Sequence, residues 1–568
     1  MTSGSGDLLK PATHTLLRGP QTCEDPLRTM ASQCVRCSTR ALLARSGASL
    51  VKSAPAASSS IRLLHQYHAP TQRPRPTPKS SLRHTPSITS SRSSSSSTSS
   101  PKSTVALGQE YSADDYTNIP PSILNRLSPT PRLLSNPSHP LSLLQAQIQS
   151  HLASLTETAS FSPIVPPSPV VSADLNFSDL GFPPNHPGRS PTDTYYLNRE
   201  TCLRTHTSAH EVQAFSEPGR TSWLLAADVY RRDEIDASHY PIFHQMEGAR
   251  IFPLSQYEAT NGQKSLVELE CEAIEARLAA SDVQIEVEDN VKLEDAGGIQ
   301  PGHSERNALL AVRHLKAVLN SLVLELFGER HRADVAAVGK GGADAEPLKV
   351  RWISATFPFT TPSYEVEVWF RGKWLEILGC GVVMDRTLKN AAVKDHLGWA
   401  FGLGLERIAM VLYSIPDIRL FWSTDERFLR QFSTSTSTPA SSASGEHAGV
   451  SAAGGASSSK KQALITFTPY SRHPPCYKDV SFWLPKTSSS SREFHENDFC
   501  EVVRDTAADL AEDVSRIDEF VHPKTGRKSL CYRINYRSMD RNLENEEVNV
   551  VHGQVVQHLV DKFGIEIR

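Results

Sequence analysis

The 568-residue sequence has no apolar run long enough to span a membrane and no paired cysteine framework. A transmembrane helix needs roughly 18 uninterrupted apolar residues, and no stretch approaches that length. The nine cysteines are scattered and odd in number. This favours a reducing compartment and argues against a disulfide-stapled secreted protein.

Acidic residues are missing from a long N-terminal stretch. Residues 30–109 contain no Asp or Glu and are rich in Arg, Ser and Ala. Such a composition is typical of a mitochondrial transit peptide, so we predict a disordered basic leader over residues 1–110 and a location in the mitochondrial matrix. A basic tail that carries no address is the alternative.

Composition divides the rest of the chain into two folded units. A Ser/Ala/Gly-rich linker over residues 433–462 separates a first block, residues 111–432, from a compact unit, residues 463–568. Within the first block we predict an acidic insertion over about 255–304 and a loop insertion over about 331–347. The second insertion contains VGKGGADAE, which lacks the spacing of a phosphate-binding loop.

The C-terminal unit has a regular order of elements. Hydrophobic patterning predicts strands at 463–469, 480–484, 515–521, 529–537 and 565–568, and helices at 497–514 and 546–563. This order predicts a βαββαβ-type α+β sandwich with an antiparallel sheet.

Two segments of the first block carry candidate polar groups. In TYYLNRETCLRTHTSAHE, His206, Ser208 and His210 alternate and would share one face of an extended chain, although such a row is often solvent-facing. In DVYRRDEIDASHYPIFHQMEG, Arg231 and Arg232 on a strand would point to opposite faces. One guanidinium could then enter a cleft and grip a phosphate or carboxylate while the other pairs outside.

Two further segments carry aromatic rings and glycines. FPFTTPSYEVEVWFRGKWLEILGCGVV predicts an antiparallel hairpin, with Phe357 and Phe359 on one face as ring receptors or as ordinary core aromatics. In GWAFGLGLERIAMVLYSIPDIRLFW, Gly402 and Gly404 would let a flat ligand approach the backbone before a helix that carries Arg407 and ends before Pro416.

These segments together resemble the class II aminoacyl-tRNA synthetases, and among them the monomeric mitochondrial phenylalanyl-tRNA synthetases. VYRRDEIDASHYPIFHQMEG resembles motif 2, GLGLER resembles motif 3, and FPFTTPSYE with WLEILGCG is similar to the phenylalanine pocket. NFSDLGFPPNHPGR resembles motif 1, and FVHPKTGRKSLCYRINYRSMDRNL resembles the ferredoxin-fold anticodon-binding domain. The resemblance implies an α+β fold: a class II antiparallel-sheet catalytic domain plus a ferredoxin-like anticodon-binding domain.

The resemblance also implies an activity. A phenylalanine–tRNA ligase activates phenylalanine with ATP and transfers it to the 3′-terminal ribose of mitochondrial tRNA(Phe), with Mg²⁺ as cofactor. Such an enzyme would be a monomer with no membrane partner. Carried over by position, Arg231 would contact the α-phosphate and the substrate carboxylate, Arg407 the γ-phosphate, and Glu376 Mg²⁺ or the nucleotide. An ordinary ion-pair role remains the alternative for Glu376.

The implied substrate contacts form a larger set around the amino acid. Ser208, Gln245 and Glu247 would take the ammonium group, Phe357 and Phe359 would face the ring, and Ala400 with Phe401 would close the pocket. Glu211 stands where the family more often has Gln, and a carboxylate accepts hydrogen bonds but does not donate them. The full set is His206, Ser208, Ala209, His210, Glu211, Arg231, Ser238, His239, Tyr240, Gln245, Met246, Glu247, Phe357, Phe359, Glu376, Ala400 and Phe401.

Basic residues cluster near the end of the chain and would contact tRNA. With Tyr532 and Tyr536 interleaved, they could grip phosphates and stack anticodon bases, although a basic strand face is often merely solvated. They are Lys524, Arg527, Lys528, Arg533, Arg537 and Arg541. Other readings of the chain are an inactive paralogue, a synthetase for another amino acid, and a protein that only binds RNA.

Overall fold

The computed structural model describes residues 103–130, 132–156, 160–260, 262–337, 346–433, 465–469, 473–485 and 494–568. Most of the predicted leader and nearly all of the predicted linker lie outside these residues. The predicted end of the leader at residue 110 is wrong, because β1 (Ser103–Ala106) and β2 (Gln109–Ser112) form an antiparallel hairpin. Among the described helices, none combines the length and the apolar character that crossing a bilayer requires.

An eight-stranded sheet organises the first block, residues 111–432. Its strands are β3 (Ser162–Ile164), β7 (Ser222–Tyr230), β8 (Ile242–Pro253), β9 (Ile285–Asp289), β10 (Leu348–Phe357), β11 (Thr360–Phe370), β12 (Lys373–Val383) and β13 (His396–Gly404). Their order is β3-β7-β8-β13-β12-β11-β10-β9, antiparallel except for the parallel pairs at the two edges. The predicted hairpin is confirmed: β11 and β12 pair around Arg371 and Gly372, both with positive φ.

A small three-stranded sheet stands beside it. Its strands are β4 (Val170–Ser172), β5 (Tyr196–Asn198) and β6 (Thr201–Leu203), in the order β4-β6-β5.

Most helices cover one face of the large sheet, and two short ones, the third and sixth in chain order, pack on the other face beside the site. The helices are α1 (Pro121–Leu124), α2 (Pro140–Leu155), α3 (Glu211–Ser216), α4 (Leu266–Ala279), α5 (Glu305–Ala337), α6 (Asp385–Asn390), α7 (Leu405–Tyr413) and α8 (Glu426–Ser433). The long α5 packs its apolar side on the sheet, and their side chains share one hydrophobic core. Burial of this face is the main stabilising contribution to the block.

Both predicted insertions contain regular structure. In the acidic stretch, Ser265 and Glu268 form a capping box that starts α4, and β9 adds a strand at the edge of the sheet. A buried ion pair then ties α4 to β8, since Arg250 Nη2 donates to Glu270 Oε1 over 2.8 Å. The loop predicted over 331–347 is wrong for residues 331–337, which continue α5, while residues 338–345 lie outside the description.

The C-terminal unit confirms the βαββαβ prediction. Its elements are β14 (Cys476–Trp483), α9 (Glu496–Ala507), β15 (Ala511–Val521), β16 (Lys528–Tyr536), α10 (Asn545–Phe563) and β17 (Glu566–Ile567), with sheet order β15-β16-β14-β17. The strand predicted at 463–469 is wrong. The buried Phe467 donates its amide to the Tyr413 carbonyl over 2.7 Å, so residues 465–469 pack on the first block instead.

The C-terminal unit docks onto the loop between β7 and β8. Arg232 pairs with Asp498 at 2.9 Å and with Glu501 at 3.4 Å, and all three side chains are buried. Asn497 donates to the Arg232 carbonyl, and the Val514 amide donates to the Ile235 carbonyl. These contacts hold the loop that follows Arg231 in one conformation.

Candidate active site

Glycines form the floor of a trough on the open face of the large sheet. The register of β8, β13 and β12 sets Glu247, Gly402 and Gly379 side by side, and Gly404 lies opposite Gln245. A Cβ added at Gly402 or Gly404 would meet no atom within 4 Å. The prediction that these glycines leave room over the backbone is therefore confirmed.

Arg231 enters this trough immediately after β7. Its Nε donates to the Thr205 carbonyl over 2.8 Å, and its guanidinium lies 5.2 Å from the Phe243 ring centroid. Burial lowers the pKa of Arg231, and the field of Arg407 lowers it further while Asp233 opposes the shift. Arg232 points away to the C-terminal unit, so the two arginines do serve opposite sides. The strand predicted for them is wrong, because β7 ends at Tyr230 and both arginines follow it.

Arg407 and Glu376 face each other across the trough. Arg407 Nη1 lies 3.4 Å from Glu376 Oε2. Glu376 on β12 lies opposite Glu367 on the neighbouring β11, which also carries Glu365. Burial and these like charges raise the pKa of Glu365 to about 7, and burial raises the pKa of Glu376 although Arg407 opposes that shift. Crowded carboxylates of this kind favour a bound cation.

The helix that carries Arg407 is fixed by its buried neighbour, Glu406. This carboxylate accepts hydrogen bonds from the His244 amide at 2.8 Å and pairs with His244 Nδ1 at 2.6 Å. The first turn of α7 is therefore anchored to β8. As predicted, α7 ends before Pro416.

Stacked aromatic rings form one wall of the trough. The ring centroids of Phe357 and Phe359 are 5.8 Å apart with planes inclined by 15°. Phe359 also lies 6.1 Å from His206 and 6.1 Å from Phe182. The Phe357 ring covers Gly379, whose added Cβ would approach it to 2.8 Å. The two rings therefore adjoin the glycine floor and the arginine site, rather than unrelated core packing.

Phe182 was not predicted as a site residue. Its ring stacks on His206 at 5.4 Å with an interplanar angle of 10°. Burial, and secondarily the charge of Arg231, lowers the pKa of His206 to about 3, so this imidazole is neutral. Phe182 lies in the segment NFSDLGF, which resembles motif 1. That match gave no reason to expect a pocket wall there.

A short 3₁₀ turn, Thr207–His210, supplies the polar end of the trough. The expectation of an extended chain there is wrong. Ser208 Oγ donates to Glu247 Oε2 over 3.1 Å, and the Thr207 amide donates to Gln245 Oε1 over 3.2 Å. The turn brings Ser208, Gln245 and Glu247 together, as the resemblance implied, with Ala209 buried beside them.

Two acids are buried together at this end. Glu247 is 2% exposed and Glu211 is 0% exposed, and neither carboxylate oxygen of Glu211 has a hydrogen-bond partner. Burial and the neighbouring Glu247 raise the pKa of Glu211 well above its usual value, and burial raises the pKa of Glu247 to about 7.

Two side chains of the predicted site point the wrong way. Met246 and Phe401 alternate with Glu247 and Gly402, so they enter the core on the opposite face of the sheet. The Phe401 ring lies against Gly248 there. Only their backbones border the trough, whereas Ala400 lies on the correct face.

Three more predicted residues lie within the loop between β7 and β8, onto which the C-terminal unit docks. Ser238 Oγ donates to Asp236 Oδ1 over 2.9 Å, and His239 Nδ1 lies 2.6 Å from Asp236 Oδ2. Tyr240 donates to Asp509 of the C-terminal unit over 2.7 Å. The structure therefore joins this loop to the second domain, and a substrate contact for these residues stays a prediction.

Comparison with known proteins follows the same two-part division. The family profile "tRNA synthetases class II core domain (F)" matches residues 125–253 and 341–432, and "Ferredoxin-fold anticodon binding domain" matches residues 471–568. The Saccharomyces cerevisiae protein named "Phenylalanine--tRNA ligase, mitochondrial" is 42% identical, covering 81% of this chain and 94% of the relative.

The chain belongs to the mitochondrial phenylalanyl-tRNA synthetase family. Relatives of the same name from Rattus norvegicus and Mus musculus are 40% and 39% identical, each covering 81% of this chain and 89% and 88% of the relative. The predicted family, fold class and class of enzyme are confirmed. Class II synthetases use ATP and divalent metal ions. Among the described residues of this synthetase, no group of three or more His, Cys, Asp or Glu side chains is arranged to hold a metal ion.

The prediction that Tyr532 and Tyr536 of the anticodon-binding domain stack on bases is wrong. Tyr532 and Tyr536 are 1% and 0% exposed, because strand alternation turns both toward the helices. Tyr532 stacks on Phe499 at 4.2 Å, and the Tyr536 hydroxyl lies 3.1 Å from His552 Nδ1. Neither ring can stack on a base.

A different aromatic cluster lies on the open face of this domain's sheet. Trp483, Phe520 and His522 have ring centroids 6.0–6.3 Å apart. The guanidinium carbons of Arg527 and Arg568 lie 5.3 and 5.5 Å from the Trp483 ring centroid. We call these five residues the open-face cluster. The alternation in the strand SFWL could have predicted this cluster. Because Phe482 enters the core, its neighbour Trp483 must point to the open face.

The predicted basic residues do not share one face. Arg533 lies on the open face and makes two 2.8 Å bonds to Asp479. Arg537 lies at the domain junction, where Arg419 donates to its carbonyl. Other pairs are Arg527 with Glu566, Lys528 with Glu519, Arg537 with Glu512 and Arg541 with Glu547.

Proposed function

We propose that this chain catalyses phenylalanine–tRNA ligation in the mitochondrial matrix. The observation that carries the proposal is the trough that joins stacked Phe357 and Phe359, the partly buried Arg231, and the Arg407–Glu376 pair over a floor of glycines. The rings match a benzyl side chain in shape and polarity. The two cations match a triphosphate.

In the first step a carboxylate oxygen of phenylalanine attacks the α-phosphorus of ATP. The bond from the α-phosphorus to its bridging oxygen breaks, and diphosphate leaves. Arg231 contacts the carboxylate and the α-phosphate, while Arg407 holds the γ-phosphate. Because Arg231 is already fixed to Thr205, it stabilises the developing charge with little reorganisation.

The second step transfers the acyl group to tRNA. The 2′-hydroxyl of the 3′-terminal ribose attacks the acyl carbonyl, and AMP leaves. No protein nucleophile is required, so catalysis is mainly alignment of the reacting groups.

Glu376 is the proposed protein ligand for Mg²⁺. The raised pKa values of Glu365 and Glu376 fit a site that gains from a nearby cation. Held by Glu376, the ion would neutralise phosphate charge.

The open-face cluster is the proposed anticodon contact for tRNA(Phe). An unpaired base can stack on Trp483 or Phe520, and Arg527 and Arg568 add positive charge near the phosphates. Arg533 and Lys524 border the same region, whereas Arg537 and Arg541 lie apart from it.

Phenylalanine-dependent exchange of labelled diphosphate into ATP tests the proposal. We expect exchange with phenylalanine and little with leucine. Exchange only with another amino acid would show that the enzyme activates that amino acid and not phenylalanine. No exchange with any amino acid would contradict the proposed activity. Charging of mitochondrial tRNA(Phe) by the pure protein tests the second step, and its sedimentation velocity tests the proposed monomer.

A further inference from the structure

The polar end of the trough contains more negative charge than a single ammonium group needs. Glu211 begins α3 directly after the 3₁₀ turn, and the charge of Glu247 on β8 acts on it. Ser208 satisfies one oxygen of Glu247, but both oxygens of Glu211 are buried without a hydrogen bond. A buried, unpaired carboxylate is costly unless it is protonated or meets a cation.

We propose that Glu211 and Glu247 form a two-carboxylate receptor that holds one proton when empty and releases it when the substrate's ammonium group enters. This inference rests on the proposed function, because it takes phenylalanine as the ligand. The exchange balances in charge: one proton leaves to solvent and one ammonium replaces it between the same two carboxylates.

The other charged groups around Glu211 do not neutralise it. His206 and His210 from the 3₁₀ turn are neutral, since burial lowers the pKa of each, to about 3 and about 4. Arg204 is engaged by Asp228 and by His210. Arg231, at the end of β7, donates to Thr205.

On α6, which packs against α3, the charged groups have their own partners. Lys389 lies 3.7 Å from Asp385 and its side chain is 76% exposed. Arg386 donates to the Pro358 carbonyl. The acid pair therefore depends on a proton or on an incoming cation.

The sign of the pH dependence follows directly. Since the pKa of each acid is raised in the empty pocket, the empty protein binds more protons than the complex near neutral pH. Phenylalanine should therefore bind more tightly as the pH rises from about 6 to about 8. If one proton is released per ligand, Kd falls up to ~10-fold per pH unit.

Isothermal titration of the full chain with phenylalanine measures this release. In two buffers of different ionisation enthalpy at neutral pH, we expect on the order of one proton released per phenylalanine. Binding with no proton release and a pH-independent Kd would overturn the inference alone. Absence of phenylalanine binding would instead contradict the proposed function.

A second titration, with phenylalaninol as the ligand, shows which end of the substrate displaces the proton. Phenylalaninol keeps the ammonium group and the benzyl ring but lacks the carboxylate, so it should release the same proton as phenylalanine. Release with phenylalanine and none with bound phenylalaninol would place the proton near Arg231 and overturn the inference.

The Glu211→Gln variant sharpens the test. It removes the acid with the more strongly raised pKa, so proton release near pH 7 should fall and Kd should depend less steeply on pH than in the unaltered protein. The matched control is Glu217→Gln, an exposed acid that follows α3, which should titrate like the unaltered protein. If Glu211→Gln fails to fold, the titrations of the unaltered chain still decide the question.

A ligand-free measurement gives a second readout. An acid whose pKa is raised by folding stabilises the native state least at high pH. The free energy of unfolding should therefore fall as the pH rises from about 4.3, the ordinary pKa of a glutamate in an unfolded chain, through about 7, the raised pKa of Glu247. Glu211→Gln should flatten that fall in Tm. An identical fall in the variant would contradict the buried, protonated state of Glu211.

Discussion

The catalytic trough and the open sheet face of the anticodon-binding domain handle charge differently. In the trough, Arg231 and Glu211 are withdrawn from water, and their pKa values shift because few neighbours compensate for burial. On the sheet face, the side chain of Arg533 is 45% exposed and is matched by Asp479. Buried charges at the trough are set for chemistry, whereas exposed pairs at the face are easily exchanged for phosphate contacts.

The largest expected effect concerns the buried pairs that join the two regions. Arg232→Ala removes the cation that pairs with Asp498 and with Glu501 at the domain junction, although Arg504 still pairs with Glu501. Breaking such a buried pair costs about 3–5 kcal/mol. Urea unfolding followed by intrinsic fluorescence measures the loss. The exposed Arg541–Glu547 pair is the control, since Arg541→Ala should cost about 0–1 kcal/mol. Equal costs would remove the contrast between buried and exposed pairs.

The second effect is on chemistry in the trough. Arg231→Ala should lower phenylalanine-dependent diphosphate exchange ~10³-fold, because it removes a preorganised cation from the reacting phosphate. Arg199→Ala, an exposed arginine paired with Asp115, should leave the rate unchanged. A loss below tenfold for Arg231→Ala would show that another group stabilises the charge.

The third effect is on the sheet face. Trp483→Ala should weaken tRNA binding ~10-fold, since base–aromatic stacking is worth about 1–3 kcal/mol. Filter binding with tRNA(Phe) measures it. Val550→Ala, on the exposed side of α10, should bind tRNA like the unaltered protein. An equal loss in both variants would mean that this face is not the contact.

The smallest effect is a gain. Asp479→Asn removes the acid that pairs with Arg533, so that guanidinium becomes available to a phosphate. We expect tRNA affinity to rise a few-fold and log Kd to depend more steeply on log salt concentration, by about one unit or less. Unchanged affinity and salt slope would place Arg533 outside the tRNA surface.

Local sequence rules predicted several features of the site, whereas the face on which each strand residue lies was missed in places. The hairpin of β11 and β12, the room above Gly402 and Gly404, and the separation of Arg231 from Arg232 followed from local rules. Strand alternation turns the side chains of Met246 and Phe401 into the core, so only their backbones could contact a substrate.

Local patterns were enough to predict the βαββαβ order, the β11–β12 hairpin and the residue types of the site, because turn chemistry and hydrophobic period act over a few neighbours. Packing between distant segments was needed to show that Tyr532 is buried, that Phe467 packs on the catalytic domain, and that Glu247 acts on Glu211. Burial and long-range contact depend on which elements pack together, and no local pattern records that choice.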